Sequence, residues 1–222
     1  MARANELKWH INWMATPEGF SCAGKSAPTA WKSAGVDAGI MTTIDLSGCG
    51  FVERPVIVSS ITGNSGATWA LRGGWAPLSV SASDFDIHLT GSVASISAAL
   101  AADYSIHWFA MVPAFNRDSC AGSTTEFATN WVYYSSSGIY VDVDLTGCMF
   151  TRPPVLVASL AGQSNHSGGT LDVRGGSNPY SVSAIRFRIY MYKVGITAAD
   201  ANKWGWYINW LAYQPPDPPS PP

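Results

Sequence analysis

Four cysteines, at positions 22, 49, 120 and 148, are the residues of this chain whose type and spacing could most directly do chemistry. They fall into two pairs, 27 and 28 residues apart. No C-x-x-C is present, so a zinc site is not expected. Four cysteines allow three connectivities. The equal placement of the pairs favours Cys22–Cys49 with Cys120–Cys148. Two buried thiols per pair are the alternative. Disulfides would imply an oxidising compartment. The four histidines (10, 88, 107 and 166) show neither H-x-H nor H-E-x-x-H. G-x-S-x-G, a Walker loop and G-x-G-x-x-G are also missing, so an enzyme is not expected. Asp142-Val-Asp144 resembles the start of a calcium loop but is followed by too few acids to be one. Asn165-His166-Ser167 is a glycosylation triplet.

The elements that position these residues come from an internal repeat. IDLSGCGFVERPVIVSSITG at 44–63 matches VDLTGCMFTRPPVLVASLAG at 143–162 with an offset of 99. LRGGWAPLSVSASDF at 71–85 matches VRGGSNPYSVSAIRF at 173–187 with an offset of 102. The change of three residues is an insertion around Gln163–Gly169. The closing segments YSIHWFAMVP (104–113) and WYINWLAYQP (206–215) align without a gap, and KWHINWMATP (8–17) resembles both. The chain thus divides into an N-terminal strand (1–16), unit 1 (17–114), unit 2 (115–214) and a Pro-rich tail (215–222). The first strand could close a preceding repeat of a longer array, or simply begin the domain.

Each unit reads as β throughout. YSIHWFAMV alternates with period 2, with Tyr104, Ile106, Trp108 and Ala110 on one face. Short apolar runs follow Pro at RPVIVSSI and PPVLVASL, as at the edge of a sandwich sheet. SISAALAAD at 95–103 is Ala-rich, but its counterpart TAADANKWG has no helical pattern, so a loop or a single turn is expected in both. The fold class is therefore all-β, as two tandem antiparallel sandwiches. The tail QPPDPPSPP suits an extended polyproline spacer and resembles the Pro-rich spacers of algal wall and matrix glycoproteins.

Composition narrows the function. Among 222 residues, charged residues make up 13% and the net charge is −2, so a nucleic-acid partner is not expected. No apolar run is long enough to span a membrane, and MARANELKWH has no signal-peptide core. Ten Trp, nine Tyr and eight Phe supply core, with some left over for a sugar or partner site.

CMFTRPPVLVASL, then VRGGSNPYSVSAIRF, then WYINWLAY resembles the H-type lectin domain of the snail-agglutinin type, over about 80 residues of each unit. The resemblance implies a six-stranded antiparallel sandwich, often trimeric. It implies binding of galactose-type sugars, above all N-acetylgalactosamine, at the junction between protomers, with no catalysis, cofactor or obligatory metal. The family's sugar-binding arginine falls on Arg72 and Arg174, whose planar fork donates paired hydrogen bonds to neighbouring oxygens. Its acid and glycine fall on Asp37 and Gly39 of unit 1; unit 2 has no acid in that loop. Its aromatic falls on Trp204 of unit 2, where unit 1 has Ala102. A composite site drawing on both units is the resulting expectation. The expected partners are glycans or glycoproteins and other copies of the repeat, at an extracellular or cell-surface location. A structural or adhesive repeat of an extracellular fibre or coat, with degenerate sugar sites, is the alternative.

Overall fold

The computed structural model describes residues 22–34, 39–64, 71–92, 94–115, 119–163 and 173–214. The N-terminal strand, Asp37, Asn165 and the Pro-rich tail lie outside these residues, and of Arg174 only the backbone is described.

The chain is all-β, with two antiparallel sandwiches. In unit 1, β1 (Cys22–Lys25), β6 (Ser105–Met111) and β4 (Val56–Thr62) form one sheet in the order β1-β6-β4. The facing sheet has the order β2 (Lys32–Ser33), β3 (Ile40–Asp45), β5 (Asp84–Leu89). Unit 1 thus has six strands in two antiparallel layers. Unit 2 repeats this order and adds one strand to each sheet. β12 (Arg174–Tyr180), β13 (Arg186–Tyr192), β10 (Gly138–Asp144) and β9 (Val132–Ser135) form one sheet. β11 (Val155–Ala161), β14 (Tyr207–Tyr213), β8 (Ser119–Ser123) and β7 (Ala114–Phe115) form the other.

Each sandwich has its own core. Ile40, Ile44, Phe85 and Ile87 meet Ile57, Tyr104, Ile106 and Ala110 in unit 1. Ile139, Val143, Phe187 and Ile189 meet Leu156, Trp206, Ile208 and Trp210 in unit 2. The repeated aromatics play the same parts twice. Phe85 meets Trp108 edge-on at 6.0 Å, and Phe187 meets Trp210 at 6.1 Å. The small residue opposite is needed as well. A Cβ on Gly24 would lie 2.8 Å from the Trp108 ring, and one on Gly122 would lie 2.7 Å from the Trp210 ring. Cys22 is bonded to Cys49 and Cys120 to Cys148, with Cα separations of 5.5 and 5.7 Å. This is the pairing that the repeat favours.

The structure corrects the reading of 95–103 and its counterpart. Both segments hold a short α-helix, α1 (Ile96–Ala101) and α2 (Ala198–Lys203). Side-chain caps supply what the apolar pattern lacks. Ser95 Oγ accepts from the Ala98 amide. Thr197 and Asp200 cap each other's backbone, the reciprocal arrangement of T-x-x-D. Each helix buries one alanine, Ala99 or Ala201, whose carbonyl accepts from the amide of Tyr104 or Trp206 at the start of the closing strand.

The two sandwiches meet along a buried seam. The edge strand β4 of unit 1 lies on the outer face of the β11–β14–β8 sheet, with Val56, Ala121 and Leu211 buried between them. An edge strand leaves backbone groups without ladder partners. Here side chains of unit 2 satisfy them. Asn209 Nδ2 donates to the Ile57 carbonyl at 3.0 Å, and the Ser59 amide donates to Ser159 Oγ at 3.1 Å. Nearby, the Ser79 amide donates to the Gly162 carbonyl at 2.8 Å. Arg54 pairs with Glu126 and lies over the Tyr207 ring. Burial pushes the Tyr207 hydroxyl up to about 12.

Candidate functional site

Arg72 and Arg174 occupy equal places beside the strand that follows. Arg72 and Thr90 exchange backbone hydrogen bonds at 2.9 and 3.0 Å, and Arg174 stands opposite Tyr192, the counterpart of Thr90. The glycines after each arginine have a backbone reason. Gly73 and Gly175 lie at φ +94° and +91°, which a side chain rarely adopts, so the chain leaves the ladder just past the arginine.

Gly39 also has a packing role. A Cβ there would collide with the Leu89 carbonyl, and one on its counterpart Gly138 would collide with the Met191 carbonyl. Both therefore allow the close approach of adjacent strands. Trp204 follows α2 as its C-cap. It is half-buried, with its ring 5.2 Å from that of Trp206 and Lys193 Nζ 5.5 Å from its centroid. Its counterpart Ala102 caps α1 and is buried. The seam passes close to Trp204, because Leu78 of unit 1 bridges to Gly162, and a Cβ on Gly162 would lie 3.5 Å from the Trp204 carbonyl. The acids of the weak calcium pattern are already engaged. Asp144 accepts from the Thr146 amide at 2.8 Å, as Asp45 does from Ser47 at 2.7 Å. Asp142 pairs with Arg188.

A second place, which the sequence did not single out, has chemistry to offer. The outer face of the β12–β13–β10–β9 sheet gathers tyrosines around Tyr190. Tyr134, Tyr180 and Tyr140 lie at ring distances of 5.1, 5.3 and 5.7 Å from it, and Tyr192 is the next residue along the same face. Tyr134, Tyr180 and Tyr192 are exposed. Arg188 sits 4.0 Å above the Tyr140 ring. It donates Nε to Asp142 Oδ1 at 2.7 Å and Nη2 to Oδ2 at 2.6 Å. These hydrogen bonds hold the Asp142 carboxyl below its ordinary value and raise Arg188 above its own.

The fold does not need these rings. The matching positions in unit 1 are Ala34, Met41, Leu78, His88 and Thr90, on the corresponding sheet, which has three strands instead of four. Tyrosine has an apolar ring face and a hydroxyl that both donates and accepts. Beside a fixed guanidinium–carboxylate pair, such rings suit a flat ligand surface with apolar patches and many hydroxyls. A shallow groove of about 250 Å3 in unit 1, lined by Lys25, Ser26, Thr43, Asp45 and Trp108, includes none of the expected site residues.

No family model, no curated protein and no solved structure matches this chain.

Proposed function

We propose that this chain is an extracellular carbohydrate-binding protein built from lectin-like sandwich units, with galactose- or N-acetylgalactosamine-type glycans as ligands. The tyrosine face of unit 2 carries this reading. Five tyrosines share one exposed sheet face with the Arg188–Asp142 pair, and unit 1 has no tyrosine at any of the five matching positions. A sugar ring presents C–H groups to such rings and hydroxyls to the charged pair. Each such contact is worth about 1 kcal/mol in water, so a single site binds weakly and several sites in one assembly give useful avidity. Two disulfides support an oxidising, extracellular location.

Arg72, Arg174, Gly39, Asp37 and Trp204 remain the residues of a second, composite site implied by the H-type lectin resemblance. A glycan array followed by titration with galactose and N-acetylgalactosamine tests the reading. Loss of binding in Tyr190→Ala with Arg72→Ala unchanged places the sugar on the tyrosine face. The opposite result, with loss also in Trp204→Ala, places it at the composite site. A chain that binds no glycan is instead a structural or adhesive repeat, a reading favoured by the buried seam between its units.

A further inference from the structure

The contact between the two units is one-sided. Unit 1 contributes an edge, β4 with Leu78, flanked by Phe109 and Met111 of β6, and unit 2 contributes a face on β8, β11 and β14. A contact made of two different patches is heterologous, and each partner keeps one patch unused. The repeat allows a position-by-position check. On the face of unit 2, Asn209, Ser159, Ala121 and Gly162 are buried by unit 1. Their counterparts on the face of unit 1 are His107, Ser60, Ala23 and Gly63, and all four are exposed. On the edge of unit 1, Val56 and Leu78 are each 1% exposed. Their counterparts on unit 2 are Val155, half-buried, and Tyr180, 48% exposed.

The unused patches have the chemistry of the used ones. Ser60 matches Ser159, whose hydroxyl accepts an edge amide. His107 has an N–H to offer an edge carbonyl, as Asn209 does. Val58 and Phe109 beside them are half-buried and already pack against the seam cluster of Val56, Ala121 and Leu211, so the open part of this face is Ala23, Ser60, Gly63 and His107.

We infer that the β11 edge of unit 2 docks on the outer face of unit 1 in a second copy of this chain, head to tail, as β4 docks on unit 2 within one chain. Such a contact builds a closed ring if the rotation closes and a fibre if it does not. Tyr180 belongs both to this edge and to the tyrosine face, so association is measured without sugar.

Sedimentation velocity over a range of concentrations up to about 100 µM tests the inference. Wild type is expected to form oligomers as concentration rises. Ser60→Arg blocks the face and Val155→Arg blocks the edge, and each is expected to remain monomeric. Their equimolar mixture should form a heterodimer and nothing larger, since one intact edge meets one intact face. Ala23→Lys, on the same face as Ser60, replaces Ser60→Arg if that variant fails to fold, as judged by circular dichroism and intact disulfides. A wild type that stays monomeric overturns the inference. So do single variants that associate like wild type, or a mixture that stays monomeric.

Discussion

Trp31 donates its indole N–H to the Tyr104 carbonyl at 2.8 Å, across 73 residues of chain. In unit 2, Trp131 donates to the Trp206 carbonyl at 3.3 Å. In both units this bond ties the segment before the second strand to the start of the closing strand, inside the core. Trp31→Phe removes the donor, leaves a buried carbonyl unpaired and empties part of the indole's volume. A loss of about 2–4 kcal/mol in urea unfolding is expected. Trp131→Phe should cost less, because its bond is longer.

The seam makes a contrasting pair. Asn209 Nδ2 donates to the Ile57 carbonyl, and its Oδ1 accepts from Ser123 Oγ at 2.6 Å. Asn209→Leu leaves the buried carbonyl without a partner and should destabilise by about 1–3 kcal/mol. His107→Leu, at the equal position in the exposed face of unit 1, should stay within about 0.5 kcal/mol in dilute, monomeric protein. Equal losses in the two variants, measured by chemical denaturation, would show that the seam does not carry this energy.

Each disulfide closes a loop of 27 or 28 residues. In the chain-entropy account, Cys22→Ser with Cys49→Ser costs about 3.5 kcal/mol, and the unit 2 pair costs nearly the same. Non-reducing peptide mapping should return Cys22–Cys49 and Cys120–Cys148; a cross-unit peptide would contradict the structure.

His88 lies in β5 with its ring buried, and Nε2 has no hydrogen-bond partner among the described residues. Burial lowers its pKa below the ordinary 6.5, against a smaller opposing pull from Asp86. The folded state therefore favours the neutral ring. Above about pH 6.5 the ring is neutral in both states and stability is at its full value. As pH falls below 6.5 the unfolded chain takes up the proton first, and stability is lost until the folded pKa is passed. Unfolding midpoints measured from pH 8 to 4.5 should show this decline in wild type, and His88→Asn should flatten it.

On the tyrosine face, Arg188→Lys keeps the charge but loses the two-pronged bond to Asp142 and the stacking on Tyr140. Glycan affinity measured by titration should fall about 3- to 10-fold, which is about 1 kcal/mol. The pair stands at the surface, so thermal stability should hardly move. A variant that binds glycan as tightly as wild type would remove Arg188 from the site.

The sequence by itself determined what depends on local pattern and on the repeat. Period-2 alternation at 104–112 and Pro-led apolar runs are enough for an all-β chain, because strand faces follow directly from residue parity. The doubled Cys, Gly, Trp and Phe positions mark one core built twice. The helices were hidden because six residues with one buried alanine have no apolar stripe; only the T-x-x-D cap at Thr197 and Asp200 announced one of them. The tyrosine face was not legible, since Tyr134, Tyr140, Tyr180, Tyr190 and Tyr192 are spread over 59 residues. They converge only because β12, β13, β10 and β9 lie side by side in that order. The seam was decided by tertiary structure alone. Asn209 and His107 are equivalent in the repeat, and only a one-sided contact between two similar units makes one of them buried and leaves the other in water.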